Sequence, residues 1–326
     1  MSTPSRIFIT GCTGFVGDYL VAHCRQRYPH AELFGLTSPA SPRQETESAL
    51  QFLTADISQR EAVQQAVVHA RPDLVFHLAA QSSVASSWQD PVRTLRVNAE
   101  GTLHLLDALR HEGLAPRIVL IGSGEQYGMI RPEDNPIREE CPFRPANPYA
   151  VSKAAQDLYG YQYFAAYGLP IIRARPFNHF GPRQAATFVV ASFARQIALI
   201  EAGKAPPVVP VGNLLARRDF LPVEDVVDAY VALAEQGQPG EAYNIGSGHA
   251  RSIRSILDLL LTLTPTTIEI YEDPARLRPV DVPLLEADTS RLQAHTHWRP
   301  RVPFERALQN TLEYWRTVVT SEAVDL

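Results

Sequence analysis

The chain reads as an α/β protein on a doubly wound parallel sheet with a smaller mixed α/β lobe. Three observations carry that reading. Short β-rich apolar runs alternate with longer helical stretches through the first half, a glycine-rich turn directly follows the first run, and the second half loosens into proline-broken segments. The β runs are RIFIT (6–10), AELFGL (31–36), LQFLTA (50–55), DLVFHLA (73–79), RIVLIGS (117–123) and PIIRARP (170–176). Between them, EAVQQAVVHA and RTLRVNAEGTLHLLDALR repeat apolar residues at helical spacing, so crossover helices connect strands that run parallel. In such a sheet ligands bind beyond the carboxyl ends of the strands.

After residue 176, helical stretches such as ATFVVASFARQIALIEAG and PVEDVVDAYVALAEQG are separated by KAPPVVPVG and DPARLRPVDVP. The 26 prolines in 326 residues, about 8% against an average of about 5%, mark these loops and helix starts. The length suits about two domains. We place the boundaries at 1–176 plus 217–246 for the domain built on the parallel sheet, and 177–216 plus 247–326 for the smaller lobe. Apolar residues at 45% and charged residues at 20% exclude a disordered or coiled-coil chain. A net charge of -5 offers no basic face, so neither nucleic acid nor an anionic membrane is expected as a partner.

Cys12, Cys24 and Cys141 have no disulfide-framework or zinc-like spacing, and no His, Cys and carboxylate cluster predicts a metal. Residues 1–5 lack the basic and apolar segments of a secretory leader, and SILDLLLTLT is too short to span a bilayer. A reducing, cytoplasmic compartment is the expectation.

The first chemical motif is Gly11-Cys12-Thr13-Gly14-Phe15-Val16-Gly17, between a strand and a helix. Its glycines permit a tight turn, close approach of backbone N–H groups to a pyrophosphate, and tight packing of helix on strand. Cofactors that carry an unphosphorylated ribose are usually held by an acidic residue at the end of the second strand. Here that strand ends in Thr37-Ser38, with Arg43 beyond, which favours NADP(H) over NAD(H); the alternative for Arg43 is a solvated loop charge. Asp56-Ile57 suits an adenine edge or a simple turn.

The second motif is Tyr149-Ala-Val-Ser-Lys153, introduced by Asn147-Pro148. Four-residue spacing stacks both side chains on one helix face, where the ammonium is expected to lower the phenol pKa. Ser123, at the end of the fifth strand, completes a hydroxyl–phenol–amine set. Of the histidines, His77 reads as a packed, hydrogen-bonded residue, and His295 and His297 as surface residues.

Together these elements resemble the extended short-chain dehydrogenase/reductase superfamily of nucleotide-sugar epimerases, dehydratases and reductases. The resemblance runs through LAAQSSV (78–84), Asn98, GSGEQYG (122–128), NPYAVSK, RPFNHFGP (175–182), RRDFLPVEDV (217–226), YNIGSG (243–248) and RP (278–279). FNH, VGNLxAxRDF, DPARLRPVDVP and SSVxxSW look most like GDP-4-keto-6-deoxy-D-mannose reductases, which form GDP-D-rhamnose. The resemblance implies that Ser123, Tyr149 and Lys153 are catalytic, with Asn98 supporting Lys153 directly or through water. It places Leu78, Ala79, Ala80 and Pro176, with the glycine turn, at the cofactor. On the side of a GDP-linked deoxysugar it places Ser82, Ser83, Asn178, His179, Arg218, Arg278 and Asp281, with Arg218 and Arg278 on the diphosphate. Phe188, Val189 and Arg195 are candidates for a guanine pocket, with core packing the alternative for the first two. The resemblance also implies a homodimer through the helices that carry Asn98 and Tyr149.

Dehydratases of this group place an Asp or Ser between the hydroxyl residue and a glutamate. Here the triplet is Ser123-Gly124-Glu125, and a glycine transfers no proton. Reduction is therefore preferred, with Glu125 as a catalytic candidate in the alternative GDP-mannose 4,6-dehydratase. A C4 epimerase, another nucleotide-sugar reductase and a non-catalytic NADP sensor remain as further readings.

Overall fold

The computed structural model describes residues 3–39, 50–277 and 282–321. The first half runs β1 (Arg6–Thr10), α1 (Phe15–Arg27), β2 (Glu32–Thr37), β3 (Leu50–Thr54), α2 (Arg60–Ala70), β4 (Leu74–His77), α3 (Val84–Gln89), α4 (Pro91–Leu95), α5 (Gly101–His111) and β5 (Arg117–Ile121). It continues through α6 (Pro148–Tyr167), β6 (Ile171–Pro176), β7 (Asn178–Phe180), α7 (Val189–Glu201), β8 (Val208–Val211), β9 (Arg217–Pro222) and α8 (Val223–Gln236). The chain closes with β10 (Ala242–Ile245), β11 (Ala250–Ser252), α9 (Ile253–Leu261), β12 (Glu269–Glu272), β13 (Leu284–Leu285), α10 (Ser290–Thr296) and α11 (Phe304–Ser321).

Seven parallel strands form the main sheet in the order β10-β6-β5-β4-β1-β2-β3. β4, β5 and β10 are buried along their whole length, the pattern of a sheet covered on both faces. One apolar core joins the sheet to α1 and α8, and another joins its opposite face to α2 and α5. The strand order reverses between β1 and β4, so a crevice opens beyond their carboxyl ends. The six expected strands all form, to within two residues at each end. The seventh, β10, is not apparent from periodicity, since four residues containing Asn244 carry little of it. The expected continuous helix over 93–110 is interrupted by a π-helical turn at Arg96–Glu100. Arg217–Pro222, drawn with the large domain, pairs instead in a small sheet with β7, β11 and β13. α7, α9 and α11 share the core of that lobe. His295, expected at the surface, lies against Tyr243, with its Nδ1 2.8 Å from the phenol oxygen.

α6 is the element that positions the site. Asn147 caps it by accepting the Ala150 N–H at 2.8 Å, Pro148 opens it, and Gly168 ends it with φ +71°. Midway, Asp157 is 1% exposed. It accepts from Arg175 Nε and Nη2 at 2.9 Å each and from Arg173 Nη1 at 2.8 Å, both on β6. Burial alone would raise the Asp157 carboxyl pKa, but the two guanidiniums hold it below the usual range. Arg175 also donates to the Tyr127 hydroxyl at 2.7 Å, and Tyr127 to Asn244 on β10 at 2.7 Å.

Removing one partner of a buried pair strands the other, so Asp157→Ala is expected to lower the unfolding free energy by about 3–5 kcal/mol. Arg254→Ala, which breaks the exposed pair with Asp258, should cost less than about 1 kcal/mol. Denaturant unfolding of both variants checks the contrast.

Candidate functional site

The turn between β1 and α1 is a cradle that only glycine fits at Gly11 and Gly17. Gly11 has φ +70°, and a Cβ there would lie 2.9 Å from the Ala79 nitrogen. At Gly17 a Cβ would lie 2.2 Å from the Gly11 carbonyl, so the helix starts against the strand end. Gly14 occupies the N-cap and brings no side chain to the first-turn amides, which leaves Phe15, Val16 and Gly17 at the positive end of α1. Thr13 stands in the same turn. These residues fit a dinucleotide pyrophosphate.

Around this cradle, Thr37 is buried at the end of β2 and its hydroxyl donates to the Ser38 carbonyl at 3.1 Å. Arg43 lies outside the described residues, as do Arg278 and Asp281. Asp56 accepts from the Ser58 backbone at 2.9 Å and hydroxyl at 2.8 Å, and Ile57 is buried. Leu78, Ala79 and Ala80 leave β4 half-buried, facing the glycine turn through Ala79.

Beneath that loop, His77 is fully buried. The Ala79 N–H donates to Thr10 Oγ1 at 3.1 Å, and Thr10 meets His77 Nδ1 at 2.7 Å. On the other side, His77 Nε2 lies 2.9 Å from Thr102 Oγ1, which donates to the Asn98 carbonyl at 2.6 Å. Since Thr10 already accepts from Ala79 and Thr102 donates to Asn98, the chain assigns acceptor to Nδ1 and donor to Nε2. Burial, aided by the charge of Lys153, pushes the imidazole pKa down to about 3, so it stays neutral.

Asn98 sits in the π-helical turn. Its Oδ1 accepts the Gln81 N–H at 2.7 Å, and its Nδ2 donates to the Gln81 carbonyl at 3.0 Å and to Ser152 at 2.8 Å. The expected support of Lys153 by Asn98 is thus not a direct contact. Asn98 ties the β4 loop to α6 through Ser152, while Lys153 reaches the carbonyl of Ile121 at the end of β5 at 2.8 Å. Its second partner is Gln156 Oε1, at 2.8 Å. The Tyr149–Lys153 motif does not extend to Gln156, whose place three residues after Lys153 on the same helix is its one trace in the sequence.

Ser123 accepts from the Glu125 backbone at 3.2 Å and its own N–H reaches Gln126 Oε1 at 3.2 Å, which fixes it at the mouth of β5. Tyr149 is 9% exposed on the first turn of α6. Burial pushes its pKa up to about 12, against the pull of a hydrogen bond from Ser123 and with a further push from Glu125. Burial outweighs the lowering expected from Lys153, whose own pKa burial brings down to about 7. Glu125 accepts from Asn147 at 3.3 Å. Gly124 lies against Phe177, whose ring atoms would meet an added Cβ at 2.8–3.0 Å.

Pro176 ends β6 and Asn178 and His179 form the start of β7. The His179 ring stacks on Phe15 at 6.2 Å, and its Nδ1 lies 3.0 Å from the Phe177 carbonyl. Ser83 is used as the cap of α3, accepting from Ser86, and Ser82 is exposed. Phe188 and Val189, half-buried, start α7, and the Arg195 guanidinium lies 5.9 Å from the Trp315 ring. Arg218 is buried on β9 and donates to the Val282 carbonyl at 2.5 Å and the Arg217 carbonyl at 2.9 Å. Its neighbour Asp219 holds the 247–248 turn through Ser247 and Gly248.

Residues 8–311 match the family model described as GDP-mannose 4,6 dehydratase. The chain belongs to that family. It is 36% identical to the GDP-6-deoxy-D-mannose reductase of Pseudomonas aeruginosa over 323 residues, covering 97% of this chain and 99% of the relative. The fold superposes on the structure of RMD from Pseudomonas aeruginosa complexed with NADPH with a TM-score of 0.83, at 34% identity over 96% of this chain and 99% of that one. It also superposes on the UDP-glucose 4-epimerase of Thermus thermophilus in complex with NAD, with a TM-score of 0.86, at 31% identity over 95% and 99%. The family member thus keeps the extended short-chain dehydrogenase/reductase fold of reductases and epimerases alike.

Lys153 gives this site a pH signature. Below about pH 7 it is charged in the folded and unfolded chain, and the burial penalty is fully present. Between there and its unfolded pKa of about 10.4, the unfolded chain binds more protons, so stability climbs with pH. In Lys153→Met that climb should be missing, checked by denaturant unfolding at three pH values across the window. Coincident slopes in the two proteins would contradict it.

Proposed function

We propose that this family member reduces the C4 ketone of GDP-4-keto-6-deoxy-D-mannose to GDP-D-rhamnose with NADPH. It is an oxidoreductase acting on a nucleotide sugar. The observation that carries the direction of reaction is the Ser123-Gly124-Glu125 triplet. Its middle position bears no proton-transfer group, and the Phe177 ring occupies the space where a side chain would project. The likeness to the Pseudomonas aeruginosa reductase supports the same reading.

The glycine turn holds the pyrophosphate of a nicotinamide dinucleotide on the α1 amides. Thr37 and Ser38, with Arg43, favour the 2′-phosphate of NADPH over the free ribose of NADH. When bound, NADPH supplies the hydride that reaches C4. Tyr149 protonates the emerging alkoxide, and its raised pKa keeps the phenol protonated until it is needed. Ser123 holds the ketone oxygen, so that charge developing there meets a fixed hydroxyl. Lys153 binds the nicotinamide ribose and assists Tyr149. Asn178, His179, Arg218, Arg278, Asp281, Ser82 and Ser83 are assigned to the sugar and diphosphate, and Phe188, Val189 and Arg195 to the base.

Among the described residues no helix is long and apolar enough to cross a membrane, and a cytoplasmic enzyme is proposed. A homodimer is proposed through α4, α5 and α6, where Val92, Leu95, Val151 and Leu158 are 47–61% exposed. Leu158→Asp should convert the dimer to monomer in sedimentation; an unchanged mass would place the interface elsewhere.

Tyr149→Phe should lower turnover at least about a hundredfold, followed as NADPH absorbance with the keto sugar. GDP-mannose is the parallel substrate. Its conversion to the keto sugar without net NADPH use would make the protein a dehydratase, the reading that the retained Glu125, hydrogen-bonded to Asn147, favours.

A further inference from the structure

Lys153 is 2% exposed, and both of its acceptors, the Ile121 carbonyl and Gln156 Oε1, are neutral oxygens at 2.8 Å. Gln156 is itself 0% exposed, and its Nε2 has no hydrogen-bond partner among the described residues. An idle buried donor is destabilising, so this amide is tolerated at a cost, and its Oε1 is committed to Lys153. Tyr149, Lys153 and Gln156 stand at i, i+4 and i+7 on α6, one face of the helix.

We propose that Gln156 is a positioning residue that holds Lys153 as a charged ammonium without neutralising it. This rests on the reductase reading. An amide oxygen satisfies one ammonium N–H with a dipole and leaves the whole positive charge to act on Tyr149 and the cofactor. A carboxylate there would hold the proton more tightly but cancel the charge. An aliphatic side chain would leave the Ile121 carbonyl as sole partner, and burial would strip the proton at lower pH.

The surrounding ionisable groups do not take over this role. Asp157 on α6 and Arg175 on β6 are committed to their own pair. His77 of β4 is neutral, and Glu125 beyond β5 accepts from Asn147. Arg93, Arg96 and Glu100, on α4 and the π-helical turn, are exposed, and Asp107 of α5 accepts from Tyr163 at the far end of α6.

The test compares wild type, Gln156→Leu and Gln156→Glu in steady-state NADPH oxidation with GDP-4-keto-6-deoxy-D-mannose from about pH 5 to 10. In Gln156→Leu the alkaline limb of kcat should move down by about one to two pH units, the worth of one hydrogen bond to a charged group. On that limb kcat then falls about tenfold to a hundredfold, with the substrate KM unchanged. In Gln156→Glu the limb should move up while the plateau kcat falls. Displacement in opposite directions is the signature. A glutamine that merely packs would reduce stability in both variants and leave the limb in place, and limbs that coincide or shift the same way overturn the proposal. A wild type that binds NADPH, seen by fluorescence, but leaves the keto sugar unreduced would refute the reductase reading instead. The proposal is then decided by unfolding against pH, where Gln156→Glu should flatten the Lys153 climb and Gln156→Leu should start it at lower pH. An unaltered climb in both would overturn it.

Discussion

A carboxylate buried between two arginines anchors the arrangement described here. Asp157 lies one helical turn beyond Lys153, and its pairing with Arg173 and Arg175 fixes both the height and the rotation of α6 over the sheet. Rotation matters most, because Tyr149 and Lys153 share one face of that helix. A helix held only by apolar contacts could turn by some tens of degrees with little loss. Charge-assisted bonds to a guanidinium fork are directional, and a turn of that size breaks them. Arg175 extends the constraint through Tyr127 to Asn244, so β10 and the loop beyond Ser123 are set by the same group.

A second constraint runs crosswise. From the Ala79 amide to the Asn98 carbonyl, the bonds run in one direction: each hydroxyl accepts one and donates the next, and the imidazole accepts at Nδ1 and donates from Nε2. That works only while His77 is neutral, and its burial guarantees this. The floor of the glycine cradle and the turn that carries Asn98 are thereby one hydrogen-bonded unit. The glycine turn and the α6 face that carries Tyr149 and Lys153 thereby keep a fixed separation.

The sheet was legible because strands buried on both faces must be apolar throughout, and such runs stand out between helical stretches. β10 escapes because its Asn244 is buried and donates hydrogen bonds to distant loops, at Glu139 Oε1 and the Ile137 carbonyl, an environment that leaves no local trace. The π-helical turn was hidden inside an ordinary helical pattern, as one extra residue in a turn alters no apolar spacing strongly. Motif spacing marks out Tyr149, Lys153 and Ser123, yet the Tyr149 pKa moves against the direction that spacing predicts. Spacing told that the ammonium and phenol are neighbours, but it does not report how far both are removed from water, and here burial outweighs proximity.

Gly124 and Phe177 lie 53 positions apart in the chain and share one volume. Any substitution that equips position 124 with a side chain collides with the ring, and trimming the ring alone opens a void beside Ser123. The passage between reductive and eliminative chemistry in this fold therefore has no comfortable single step from this sequence. Each intermediate genotype is handicapped, so the present activity is defended by packing as well as by the identity of its chemical groups.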